Sequence, residues 1–160
     1  MFAKKSYGQH FLKNDSIAAR IAGSLQQADR TGHVLEIGPG MGMLTKHLLA
    51  HTGYTTYAVE ADRDMVAYLE KNYPDLSGRL ILKDFLDFDP SEVFGNQAFC
   101  LIGNFPYNIS TQILFRLLDL RDQIPEMVGM FQKEVADRVV SEPGSKVYGI
   151  TSVLAQAFFK

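Results

Sequence analysis

A short apolar run, Val34-Leu35-Glu36-Ile37, ends in Gly38-Pro39-Gly40-Met41-Gly42, and a helical pattern begins at about Leu44. No other stretch limits the possible folds as tightly. Glycines at this spacing turn the backbone sharply and let a ligand approach without a side chain in the way. The same alternation continues along the chain. Strands are predicted at Val34–Ile37, Thr55–Val59, Leu80–Leu82, Phe99–Ile102 and Met127–Phe131. Helices are predicted at about Ser16–Gln27, Leu44–His51, Arg63–Asn72, Ser110–Leu120 and Lys133–Val140. Asp15 or Ser16 can cap the first helix, and Ser110 the fourth. Thr111, Ile113, Leu114, Leu117 and Leu118 form an apolar face at helical spacing. Alternation of this kind specifies an α/β fold, a parallel sheet with helices on both faces and right-handed crossovers. Ligands of such sheets bind at the carboxyl ends of the strands, so functional residues are expected just after each one.

Composition narrows the classes. The 160 residues are 46% hydrophobic, 11% aromatic and 21% charged, which suits one globular domain with a core and argues against disorder. The longest apolar stretch falls short of the roughly 18 residues of a membrane helix. Met1-Phe2-Ala3-Lys4-Lys5 lacks the apolar segment of a signal peptide. One cysteine, Cys100, excludes an internal disulfide and leaves too few thiols for a zinc site; it sits in an apolar strand, as a buried structural thiol does. No metal is expected, and the natural setting is cytoplasmic. The net charge of -2 does not advertise nucleic acid, yet Lys4, Lys5, Lys13 and Arg20 are bunched at the start with His10 among them. A solvated arm and a phosphate-contacting arm both fit. A last helix is expected at about Tyr148–Phe159, with Ile150, Val153, Leu154, Ala157 and Phe158 on one side. A crossover helix should lead into another strand, and none remains before Lys160. The chain therefore reads as one incomplete domain, residues 1–160, whose sheet is truncated before its last strands.

Four strand ends carry chemistry. After the first, the spacing is G-x-G-x-G rather than the G-x-G-x-x-G of dinucleotide folds, and Glu36 precedes it by two. A carboxylate there repels phosphate but can face a cationic ammonium, which favours S-adenosylmethionine over NAD; a purely structural turn is the competing account. Glu60 ends the second strand, 18 residues beyond Gly42. An acid so placed can accept both ribose hydroxyls, or be a solvated strand-end glutamate. Asp62 and Asp64 look like acids at the start of the next helix. Asp84 follows the third strand and can accept from an adenine amine, or be one of several loop acids with Asp87 and Asp89. The fourth strand ends in Asn104-Phe105-Pro106-Tyr107. The Asn104 side-chain oxygen and the Phe105 carbonyl can accept the hydrogens of adenine N6 and localise its lone pair. Pro106 fixes the turn, and Tyr107 can stack on an unpaired base. Alternatively the segment is a strand-to-helix turn with Tyr107 in the core.

Taken together these segments resemble the catalytic domain of the KsgA/RsmA family, adenine N6,N6-dimethyltransferases of small-subunit (16S) ribosomal RNA. The matching pieces are Gly8-Gln9-His10-Phe11-Leu12, Leu35 to Gly42, Glu60, Asp84-Phe85-Leu86, Gly103 to Asn108, Phe131 to Ala136 and Tyr148 to Val153. The resemblance implies a Rossmann-like class I S-adenosylmethionine-dependent methyltransferase. Its implied substrate is two adjacent adenines near the 3′ end of 16S rRNA in the immature small subunit. It also implies site roles: Gln9, His10 and Leu12 beside the methyl donor, Gly38, Gly40 and their neighbours at its methionine part, Glu60 on the ribose, and Asp84 with Phe85 at its adenine. Asn104 would receive the target amine and Tyr107 stack on the target base. Phe105 stands where the family usually has Leu, and His10 where it usually has Asn. Gln132, Lys133 and Glu134 fall in a segment of structural role. The family's further aromatic-proline loop and its small helical C-terminal domain are absent from the sequence. Weak or no activity of this chain is expected on that account, and self-association through an uncovered sheet edge beside Met127–Phe131. Two alternatives stay open: an Erm-type methyltransferase of 23S rRNA, and a ribosome-assembly factor that acts by binding.

Overall fold

The computed structural model describes residues 14–105 and 110–130. The expected helices at Lys133–Val140 and Tyr148–Phe159, together with Gln9, His10, Leu12, Pro106, Tyr107, Phe131 and Gln132–Glu134, lie outside the described residues. In chain order the elements are α1 (Asp15–Gly23), α2 (Ala28–Thr31), β1 (His33–Ile37), α3 (Thr45–Leu49), β2 (Thr55–Glu60) and α4 (Arg63–Asn72). They continue with β3 (Leu80–Leu82), α5 (Ser91–Phe94), β4 (Cys100–Asn104), α6 (Ser110–Asp119) and β5 (Met127–Met130). The α/β alternation is as expected.

All four strand pairings are parallel, and the order across the sheet is β3-β2-β1-β4-β5. From β1 the chain winds outward through β2 to β3, then returns to the other side of β1 as β4. The strand order therefore reverses between β1 and β4, which is where a sheet of this type opens a crevice for a ligand.

Register decides what points into that crevice. Glu36 pairs with Ala58 of β2 and with Ile102 of β4. Side chains alternate along a strand, so Glu60 and Asn104, two residues further on, share the face of Glu36. That face also carries Val34, Cys100 and Ile102, packed with Ala22, Ala28, Leu44 and Leu48 from the α1–α3 side. The opposite face carries Leu35, Ile37, Val59, Leu101 and Phe105, packed with Phe85, Phe94, Ile113, Leu114 and Leu117. Here the predicted apolar stripe of α6 is buried at Ile113, Leu114, Leu117 and Leu118.

Three local expectations are corrected. Asn14, not Asp15 or Ser16, caps α1: its side-chain oxygen accepts from the Ile17 N–H at 3.2 Å. The predicted helix Ser16–Gln27 stops at Gly23, and a separate turn of helix begins at Ala28. The break is held from far along the chain, because the Glu126 carboxylate accepts from the N–H groups of Gln26 and Gln27 at 2.9–3.0 Å. Asp62 is the N-cap of α4, accepting from the Asp64 N–H at 2.9 Å, rather than a first-turn acid.

Candidate active site

The glycine-rich turn after β1 takes the conformation its composition invites. Gly38, Gly40 and Gly42 have φ of 64°, 58° and 87°, which only glycine adopts without strain. At Gly38 a Cβ would meet nothing within 4 Å, so the backbone there faces open space. At Gly42 it would lie 2.4 Å from the Tyr73 ring. Tyr73, just past α4, lies over this end of the turn and donates its hydroxyl to the Met41 carbonyl at 3.3 Å.

Glu36 lies beneath the turn, 1% exposed. Thr45, on the first turn of α3, donates its hydroxyl to Glu36 Oε1 at 2.5 Å. Burial pushes the Glu36 carboxyl up to about 8; the Thr45 hydrogen bond opposes that shift and the nearby Glu60 charge adds to it. At neutral pH and without a cation nearby, Glu36 is mostly protonated. A cationic ligand opposite it supplies the counter-charge that ionised burial requires.

Glu60, also buried, ties the second strand end to the first. Its Oε2 accepts from the Gly40 N–H at 3.1 Å and its Oε1 from the Asp62 N–H at 3.0 Å. Burial raises its carboxyl above the ordinary range, while these two backbone donors pull it down. A carboxylate oxygen has two lone pairs, so accepting one backbone N–H leaves capacity for a hydroxyl.

The remaining strand ends are arranged differently. Asp84 is exposed and accepts from the Leu86 N–H at 2.9 Å, which fixes the bend that follows β3. The Phe85 side chain is buried at 3% exposure within the core. Any role of Phe85 at a ligand therefore falls to its backbone. Asn104 ends β4 half-buried on the face of Glu36 and Glu60. Phe105 is buried on the other face, and its N–H donates to the Met130 carbonyl at 3.1 Å. Sequence reasoning thus placed Glu36, Gly38, Gly40, Glu60 and Asn104 in one region, and the structure brings them together. It missed Thr45 and Tyr73. Threonine in a helix and tyrosine at a helix end are ordinary, and only tertiary packing carries them to the glycine turn.

Among the described residues no three His, Cys, Asp or Glu side chains gather as a metal site. No helix among them is long and apolar enough to cross a membrane. Cys100 is buried, and burial pushes its thiol up to about 11, as for a structural cysteine.

Comparison with known proteins decides the family. Residues 2–160 match the family described as ribosomal RNA adenine dimethylase. The chain belongs to that family. It is 56% identical over 157 residues to the ribosomal RNA small subunit methyltransferase A of Flavobacterium johnsoniae, covering 98% of this chain and 59% of that protein. The chain spans about three fifths of the length of the curated relatives it matches. Among solved structures it resembles a dimethyladenosine transferase from Plasmodium falciparum, with a TM-score of 0.70 and 28% identity over 92% of this chain and 52% of that one. It also resembles the 23S rRNA methyltransferase ErmE, with a TM-score of 0.65 and 28% identity over 84% of this chain and 53% of that one. The Rossmann-like class I methyltransferase fold expected from the sequence is the fold found.

Proposed function

We propose that this domain carries the S-adenosylmethionine-dependent dimethylation of N6 on two adjacent adenines near the 3′ end of 16S rRNA. The substrate is the immature small ribosomal subunit, and a cytoplasmic setting goes with it. The observation that supports this most is the shared face of Glu36, Glu60 and Asn104 at the carboxyl ends of three adjacent strands, flanking the reversal between β1 and β4.

The residues present fit the cofactor. Open space at Gly38 admits a ligand against the backbone, and the buried Glu36 carboxyl suits a cationic ammonium. Glu60 suits the ribose hydroxyls. Asp84 and the Phe85 backbone lie at the next strand end, where an adenine would sit; Gln9, His10 and Leu12 join the set through the sequence motif. When bound there, the cofactor supplies a methyl group already activated on a sulfonium. The chain's own task is then alignment and the preparation of a poor nucleophile. The lone pair of adenine N6 is delocalised into the ring. Accepting its two hydrogens at the Asn104 side-chain oxygen and the Phe105 carbonyl pyramidalises the nitrogen and turns the lone pair outward. Pro106 has no N–H to compete for those acceptors, and Tyr107 stacks on the base, a contact of roughly 1–3 kcal/mol. With the cofactor bound, the N–C bond would form as the methyl's bond to sulfur breaks and leaves a neutral thioether; N6 would then be cationic and give up a proton to water. No covalent enzyme intermediate is needed.

Calorimetric titration with S-adenosylmethionine tests the cofactor half. Binding by the parent chain and at least a tenfold loss in Glu60→Ala are expected (about 1.4 kcal/mol). Transfer of labelled methyl to immature 30S particles tests the base half: Asn104→Ala should abolish it and leave particle binding in sedimentation unchanged. With large-subunit RNA offered beside the 30S particles, labelling of the large-subunit RNA instead would overturn the substrate in favour of the Erm-type alternative.

A further inference from the structure

Gly103 of β4 and Gly129 of β5 are register partners, and neither has a positive φ. Backbone conformation therefore does not require glycine at either place. A glycine inside a strand is less stable than an alanine there, so a pair side by side needs another reason. The reason is space. A Cβ on Gly129 would lie 2.1 Å from Cε2 of Phe105, 2.7 Å from Cδ2 and 2.9 Å from Cζ. A Cβ on Gly103 would lie 3.1 Å from the same ring and 2.8 Å from the Ile37 carbonyl oxygen. The Phe105 ring therefore packs against both glycines, one ring edge toward each, filling the room their missing side chains leave. An aromatic ring laid on strand glycines is a known way to pin register.

We propose that Gly129 is a positioning residue for Asn104, acting through the Phe105 ring. Phe105 and Asn104 are consecutive on the strand, so their side chains point to opposite faces. Seating the ring on the core face sets the pleat that turns the carboxamide to the site face. The seat also holds the last rung of the sheet, where the Phe105 N–H donates to the Met130 carbonyl at 3.1 Å. That rung fixes the peptide whose neighbouring carbonyl is the second acceptor for the target amine. Phe105 is the position at which the chain departs from the family's usual leucine, and Gly129 is what makes room for the larger ring. The two positions form one size-matched pair. At 3% exposure the ring has no solvent to move into, so a methyl on residue 129 must displace the strand end.

The inference rests on the proposed role of Asn104, and its test is separable from that role. Gly129→Ala, Phe105→Leu and the double variant are compared by 15N–1H spectra. The Asn104 carboxamide pair is identified by its disappearance in Asn104→Asp. Gly129→Ala should shift that pair and speed exchange of the Phe105 amide. Adding Phe105→Leu, which removes Cε2 and Cζ, should return both toward the parent. In methyl transfer to immature 30S particles, Gly129→Ala should lower kcat by roughly tenfold to a hundredfold with KM unchanged, and the double variant should regain most of it. Unmoved signals in Gly129→Ala, or no recovery in the double variant, would overturn the pairing. If Gly129→Ala does not fold, a folded double variant supports the pair and an unfolded one refutes it. Absence of transfer in every variant including the parent would count against the proposed function, while the spectra still decide the role of Gly129.

Discussion

Replacing Glu36 by glutamine isolates the cost of the buried carboxylate. The substitution keeps the shape and leaves an oxygen to accept from Thr45, but removes the titrating proton. A carboxyl moved from 4.5 up to about 8 binds its proton more tightly in the folded chain than in the unfolded one. Stability is therefore greatest below the unfolded value, falls as pH rises from about 4.5 through about 8, and is flat above. At ~1.4 kcal/mol per unit, the raised carboxyl lowers stability by about 3 kcal/mol at pH 7, where the folded chain still holds the proton that the unfolded chain has lost, and by about 5 kcal/mol in the alkaline limit. Glu36→Gln does not have that slope. It should match the parent near pH 5 and exceed it at pH 7 by roughly 6–12 °C in Tm, at ~2–4 °C per kcal/mol for a chain of this size. Glu60 also titrates, but it is present in both proteins and its contribution largely cancels. Thermal melts followed by circular dichroism at pH 5.5, 7 and 8.5 measure the difference. A gap between variant and parent that does not change with pH, or a variant less stable throughout, would refute the reasoning.

Three further outcomes follow from the same geometry. Because Glu36 is mostly protonated at pH 7, docking of S-adenosylmethionine with its ammonium toward Glu36 should release close to one proton (about 0.9). Titrations in buffers of different ionisation enthalpy would show this as unequal apparent heats, and Glu36→Gln should make them equal. Cys100, buried and with its thiol pushed up to about 11, should resist iodoacetamide at pH 8 in the native chain and react once guanidinium unfolds it, as read by mass spectrometry. Glu126→Ala removes the acceptor for the Gln26 and Gln27 N–H groups and should destabilise the chain by ~1 kcal/mol in urea melts, with no change in cofactor affinity.

Sequence legibility tracked how local the controlling interaction is. The bounds of α4 were readable to the residue, because an acid precedes it at Asp62 and Pro74 follows it, and both signals lie within a turn. The register that gathers Glu36, Glu60 and Asn104 was readable only as a tendency of parallel sheets to place function at carboxyl ends. The predicted first helix ran past Gly23 to Gln27. The acceptor that stabilises the break, Glu126, is about a hundred residues away in sequence and invisible to any window. Thr45 and Tyr73 escaped for the same reason. The motif that names Phe85 does not say which of its atoms faces a ligand. Its neighbour Asp84 takes the surface and the ring goes to the core.

Four features of this chain are locally unfavourable, and they share one place. Glu36 puts a carboxyl among the apolar partners Val34, Ala58 and Ile102 on one face of the sheet. Three glycines after β1 hold positive φ. Glu60 is buried, and two strand glycines sit side by side at the ends of β4 and β5. A sheet selected only for stability would put a branched apolar residue at 36, as at Leu35 and Ile37 beside it. Conflicts between local preference and fold concentrate where function requires them, and here each lies at or next to the carboxyl end of its strand. If the glycine turn and Glu36 served only to pack the sheet, Glu36→Leu would stabilise the chain and leave its ligand binding untouched. On the geometry described, it should stabilise the chain and abolish binding of the cationic cofactor, so the two measurements on one variant separate a structural turn from a site.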